Sequence, residues 1–234
     1  MGCAMAGSAE ERSERLLPAA TSYEEACRQF RWRIPAHYNI ASDVCDRHAA
    51  NADAVALIQE TVGGPRSWTF REIQRIANQL ANTMTACGMA RQSRVAVLLG
   101  QDVEAAITHV AAWKAAMISV SMSRLFGPVA LLHRLADSGA QMLVTDRDGF
   151  AAVAAVRERL PELRTVLLID GDGPGALDFW RTLSRASDGF QTLRTNASEP
   201  AFINYTSGTT GAPKGVVKAH HAMLGQMPAI EFCH

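Results

Sequence analysis

Between Thr69 and Gly88 apolar residues recur at helical spacing, with Ile73, Ile76, Ala77, Leu80, Met84 and Cys87 on one face. Thr69-Phe-Arg-Glu72 opens this run as a capping box, and Gly88 is placed to end it. Short apolar runs then alternate with longer amphipathic ones. Residues 95–99 read as a strand, and 102–117 as a helix whose face is Val103, Ala106, Ile107, Val110 and Met117. Strand 118–122, helix 128–137, strand 142–145, helix 150–160 and strand 165–169 follow. Upstream, Ser22-Tyr-Glu-Glu25 resembles a second capping box for a helix reaching Phe30. Residues 39–49 read as a helix, 54–59 as a strand, and Gly63-Gly-Pro65 as a turn. Downstream, the polar connection 187–199 leads into the apolar run Ala201-Phe202-Ile203, a buried strand, and residues 219–229 read as a helix. Strands alternating with helices predict an α/β fold with a mainly parallel sheet flanked by helices.

Composition narrows the function classes. The formal net charge is +0, which removes the electrostatic case for binding nucleic acid or an anionic membrane. The longest greasy stretch, 105–120, contains His109 and Lys114 and is too short to cross a bilayer, so no transmembrane segment is expected. Cys3, Cys27, Cys45, Cys87 and Cys233 are scattered without a C-x-x-C pair, the usage of reduced thiols in a cytoplasmic protein. Residues 1–20 are rich in Ala, Glu and Arg without an apolar face, which predicts a disordered tail. Lysine occurs only at Lys114, Lys214 and Lys218, so each position invites a reason.

The chemistry concentrates in Tyr205-Thr-Ser-Gly-Thr-Thr-Gly-Ala-Pro-Lys-Gly215, directly after the strand signal. Gly208, Gly211 and Gly215 are free to take positive φ, and successive N–H groups in such a turn form an anion-binding nest. Thr206, Ser207, Thr209 and Thr210 add hydroxyl donors, Lys214 adds a point charge suited to phosphate, and Pro213 fixes the backbone before it. The stretch therefore reads as a polyphosphate cradle. A Walker A loop is the first rival, but it needs G-x-x-x-x-G-K-S/T on a strand-to-helix turn. Here Gly208 and Gly211 stand too close, and Gly215 follows the lysine. Gly171-Asp-Gly-Pro-Gly175 lacks Rossmann spacing and reads as a connecting loop. His220 and His221, adjacent on the expected helix, cannot both face one site. His109 and His133 read as packing or solvated residues.

The loop resembles the signature of the AMP-forming adenylating enzymes, the superfamily of acyl-CoA synthetases, peptide-synthetase adenylation domains and beetle luciferase. The order of Arg94-Val-Ala-Val-Leu-Leu-Gly100, the helix after Asp102, and Ala136-Asp-Ser-Gly-Ala-Gln-Met-Leu-Val-Thr-Asp146 follows the family. Phe30-Arg-Trp-Arg-Ile-Pro35, Tyr38-Asn-Ile-Ala41 and Asp43-Val-Cys-Asp-Arg-His48 are similar to medium-chain and aryl acid–CoA ligases. Val120-Ser121 departs from the Val-Pro common among relatives.

The resemblance implies that a carboxylic acid, Mg2+-bound ATP and coenzyme A are the small-molecule partners. It assigns the grip on the β- and γ-phosphates to Thr206, Ser207, Gly208, Thr209, Thr210, Gly211 and Lys214. It also implies that residues 21–234 are an incomplete N-terminal portion of the adenylate-forming fold. The glutamate, the ribose-binding aspartate and the C-terminal domain with its lysine are not in this stretch. The expectation is that the chain alone is catalytically incomplete. An adenylation domain loading a carrier protein, and a non-catalytic remnant binding nucleotide or a partner, stand as alternatives.

Overall fold

Parallel strands stay stable when helices cover both faces of their sheet, and the arrangement of elements follows from that need. The computed structural model describes residues 17–206 and 211–233. In chain order its elements begin with α1 (Tyr23–Gln29), β1 (Val55–Thr61), β2 (Gly64–Thr69), α2 (Phe70–Ala86) and β3 (Arg94–Leu98). They continue with α3 (Val103–Lys114), β4 (Ile118–Met122), α4 (Pro128–Ser138), β5 (Met142–Thr145) and α5 (Arg147–Ala154). Then come β6 (Thr165–Leu168), β7 (Leu177–Asp178), α6 (Phe179–Leu183), β8 (Pro200–Thr206), β9 (Lys214–Ala219) and α7 (Met227–Cys233).

The described residues fall into two units. Residues 17–34 and 222–233 form the smaller one, with α1 and α7; Pro35–His221 form the larger. In α1 the Ser22 hydroxyl accepts the Glu25 N–H at 3.2 Å, as expected of a cap. The Glu25 carboxylate, however, takes the N–H and hydroxyl of Thr21 at 3.0 and 2.8 Å, so the reciprocal half of the box is displaced by one residue.

In the larger unit β1 and β2 pair as an antiparallel hairpin. The main sheet has the order β7-β6-β5-β3-β4-β8-β9, parallel throughout except for the antiparallel β8–β9 pair. Alternate residues of the central strand β3 serve opposite cores. Val95 and Val97 face α2 and α3 with Ile73, Leu80 and Ile107, while Ala96 and Leu98 face α4 and α5 with Leu131, Leu135 and Val153. α2 carries its predicted capping box: Thr69 Oγ accepts the Glu72 N–H and the Glu72 carboxylate accepts the Thr69 N–H at 2.8 Å. Because α3 leaves β3 on one face and α4 leaves β4 on the other, a crevice opens at the carboxyl ends of these adjacent strands.

Three expected helices are corrected. Over 39–49 the helix is present but shorter, with Ile40 and Ala41 helical and Ser42–Asp46 in a π-helical turn. Asn39 caps its start: its side-chain oxygen accepts the Ala41 N–H at 2.9 Å, its carbonyl accepts the Asp43 N–H, and its amide donates to the carbonyls of Trp113 and Leu193. The helix expected over 150–160 begins at Arg147, because the Asp146 carboxylate accepts the Gly149 N–H at 2.8 Å, and it stops at Ala154. Where a helix was expected over 219–229, Ala219 is still in the sheet, paired with Pro200, and the His220 N–H reaches the Glu199 carbonyl at 3.0 Å. Only short 3-10 turns follow before α7.

Two buried polar groups tie the larger unit together. Lys114 is buried and pairs with Asp46, whose carboxylate also accepts from Thr192 (2.6 Å) and Gln74 (2.8 Å). Burial pushes the Asp46 carboxyl up, but the hydrogen bonds from Lys114, Thr192 and Gln74 outweigh it and hold the group below the usual carboxylate range. His220 is fully buried and accepts the Ile40 N–H on Nδ1 at 3.2 Å. Burial lowers its pKa to about 4.

Two outcomes follow. Asp46→Ala leaves a buried ammonium unpaired and is expected to cost about 3–5 kcal/mol in urea unfolding, with part recovered by adding Lys114→Met. For His220 the unfolded chain takes up its proton first, at a pKa of about 6.5. Stability from this group is therefore lost as pH falls from about 6.5 toward about 4, by about 2 kcal/mol at pH 5. Unfolding curves at pH 7 and 5 check it, and His220→Leu should remove this component of the slope.

Candidate phosphate-binding site

The glycine- and threonine-rich loop joins two antiparallel strands. β8 ends at Thr206 and β9 begins at Lys214, and these two residues face each other in the ladder. The expected cradle is thus the tip of a hairpin. Thr206 and Lys214 are exposed at its two stems, and Gly211 is exposed with φ +111°, the backbone form glycine was expected to supply. Ser207, Gly208, Thr209 and Thr210 lie outside the described residues.

Gly215 has a different use from the one expected. It is extended within β9 opposite Tyr205, and a Cβ there would stand 3.2 Å from both Ile203 Cγ2 and Tyr205 Cζ. The missing side chain lets the tyrosine ring lie across the strand. Lys214, by strand alternation, projects to the opposite face from Gly215, the face it shares with Lys218. Lys218 sits over the Phe202 ring, 5.6 Å from its centroid.

Below the hairpin lies α4. The Tyr205 hydroxyl donates to Asp137 at 2.6 Å, and Arg134 places its guanidinium over the rings of Phe126 (3.9 Å) and Tyr205 (5.5 Å). Burial, and then the neighbouring Asp137 carboxylate, push the Tyr205 phenol well above its ordinary pKa, so it stays a donor. His133 brings Nε2 within 2.8 Å of the Pro213 carbonyl, which requires the ring to donate from that nitrogen. Sequence reasoning treated His133 as a packing or solvated residue. Its spacing of four from Asp137 on one helix was the available signal.

A cleft of about 520 Å³ opens beside the hairpin at the carboxyl ends of β3, β4 and β8. Gly100, Gln101, Ser123, Arg124, Asn204 and Tyr205 contribute to its walls. Arg124 is held by Asp146 at 2.8 Å and keeps much of its surface in solvent. The crevice dictated by the strand order and the hairpin bearing Lys214 are therefore neighbours in space. Of the histidines singled out, His220 is an internal acceptor, His221 bonds the Ala197 carbonyl at 2.8 Å, and His109 stacks on Trp113.

Comparison with known proteins decides the family. The AMP-binding enzyme family matches residues 45–234. This chain belongs to that family. It is 30% identical over 221 residues to rat mitochondrial acyl-coenzyme A synthetase ACSM2, covering 91% of this chain and 37% of that protein. It is 31% identical over 216 residues to the acetyl-coenzyme A synthetase of Mycolicibacterium smegmatis, covering 84% of this chain and 23% of that one. The crystal structure of Brucella canis acyl-CoA synthetase superposes with a TM-score of 0.78 at 26% identity, covering 87% of this chain and 39% of that one. The anthranilate CoA ligase AuaEII, solved with anthranoyl-AMP, gives 0.76 at 26% identity, over 82% and 37%. This family member thus spans about a third of the length of the acyl-CoA synthetases it matches. The mainly parallel sheet flanked by helices is that of the N-terminal part of the adenylate-forming fold.

Strand propensity alone would favour a valine at position 215. The packing of Tyr205 argues the reverse: Gly215→Val should destabilise by about 1–3 kcal/mol in urea unfolding, the cost of overpacking.

Proposed function

We propose that this chain is the N-terminal part of an ATP-dependent acid–CoA ligase, with residues 21–234 belonging to its adenylation domain. The carboxylate oxygen of the acid attacks the α-phosphorus of ATP. The bond to the bridging oxygen breaks, pyrophosphate leaves with the electron pair, and an acyl-adenylate remains. The thiol of coenzyme A, giving up its proton, then attacks the acyl carbon and expels AMP. Family membership and relatives named as acyl-CoA synthetases support this reading, and the hairpin loop closed by Lys214 is the observation that carries it.

What the chain would do in this reaction is position and stabilise charge. The Gly211 N–H, the Thr206 hydroxyl and the Lys214 ammonium are donors without a covalent role. They suit the β- and γ-phosphates, on which negative charge grows as pyrophosphate departs. Among the described residues no three His, Cys, Asp or Glu side chains gather to hold a metal. Magnesium, which usually keeps several waters and few protein ligands, would reach this part of the site on the nucleotide's own phosphates. Cytoplasmic residence, inferred from the cysteines, is likewise a proposal, to be checked by fractionation; the rat relative's name places that protein in mitochondria.

The test is ATP–pyrophosphate exchange driven by a panel of carboxylic acids, using a version that spans the full length of the relatives. Lys214→Ala is expected to lower exchange roughly 100-fold, the scale seen when one charge-stabilising donor is removed. An unchanged rate would refute the phosphate role.

A further inference from the structure

We propose that His133 and Asp137 are positioning residues that clamp the two stems of the phosphate loop onto α4. The inference rests on reading that loop as the triphosphate grip. His133 and Asp137 are four residues apart, so they share one face of the helix. Asp137 takes the hydroxyl of Tyr205, the residue before Thr206 where one stem ends. His133 donates to the carbonyl of Pro213, the residue before Lys214 where the other stem begins. A proline has no N–H, so its carbonyl is the only backbone group through which that stem can be held at this position. One helical turn thus fastens residues on both sides of 206–212.

The helix is a firm base for such a clamp. Leu131, Leu132 and Leu135 are buried in the core beneath the sheet, and Gly139 closes the helix in the left-handed conformation. The rings of His133 and Tyr205 meet edge to face at 6.2 Å, so the two anchors also touch each other. A ligand held between two strand stems must meet the cost of any ordering those stems still lack. Anchoring both stems to a packed helix removes part of that cost before the phosphates arrive. It also fixes the direction in which Lys214 leaves the strand.

Titration calorimetry of the chain with MgATP, beside thermal melts, tests the clamp. His133→Ala is expected to weaken binding about ten-fold, the scale of one hydrogen bond, with the melting temperature little changed. His133→Gln retains an N–H donor and should recover most of the affinity. Asp137→Ala should weaken binding similarly, and Asp137→Asn, which keeps an acceptor, should weaken it less. Loss of affinity in Lys214→Ala with wild-type affinity in His133→Ala would overturn the clamp and leave the phosphate reading standing. Equal losses in His133→Ala and His133→Gln would overturn it too, since the ring would then act by packing alone. If His133→Ala fails to fold, the contrast between Asp137→Ala and Asp137→Asn decides, and no difference between them counts against the clamp. No MgATP binding by the wild-type chain, or binding unaffected by Lys214→Ala, would remove the phosphate reading and the clamp with it.

Discussion

The burial of β3 on both faces constrains everything else in the larger unit. β3 contributes alternate residues to two cores, while β4 gives Ile118, Val120 and Met122 to one of them, and each core needs its own helices. One connection must leave on each face, and where two neighbouring strands part this way, no helix can cover their carboxyl ends. The cleft beside Gly100 and Arg124 follows from this arrangement. β8 then adds alongside β4 in the same direction, which brings its carboxyl end, and so the signature loop, to the rim of that cleft.

Carrying the loop on a hairpin changes how an anion is met. In a strand-to-helix turn the helix supplies a row of free N–H groups and the positive end of its dipole. β9 is a strand and supplies neither. Lys214 and the backbone bend at Gly211 are the groups this hairpin offers in their place. The stems of the hairpin rest on α4 through Tyr205 and Pro213.

Much of this was legible in the sequence, for physical reasons that differ by residue. The α2 helix and the central strands announced themselves because their apolar periods are long and their ends are capped by local chemistry at Thr69 and Gly88. β2 was missed because Gly64-Pro-Arg-Ser67 carries no alternation and only Trp68 in it is buried. β9 was missed because its identity depends on pairing with β8, which no local pattern records; Lys214-Gly-Val-Val-Lys-Ala219 is equally compatible with a loop entering a helix. The candidate phosphate loop was singled out from the order of its residue types. The residues beneath it could not be, because His133 and Asp137 acquire meaning only from the stems that fold over them.

β9 also has a colloidal side. It ends the sheet among the described residues, and Val216 and Val217 on it are 40% and 56% exposed. An edge of this kind is a template on which a second extended chain can add, the route by which sheet proteins aggregate. Lys214 and Lys218 stand four residues apart on one face of this edge, and charged side chains there discourage such addition. The lysine that suits a phosphate therefore also acts as a guard against self-association. Removing its charge would leave this edge less protected.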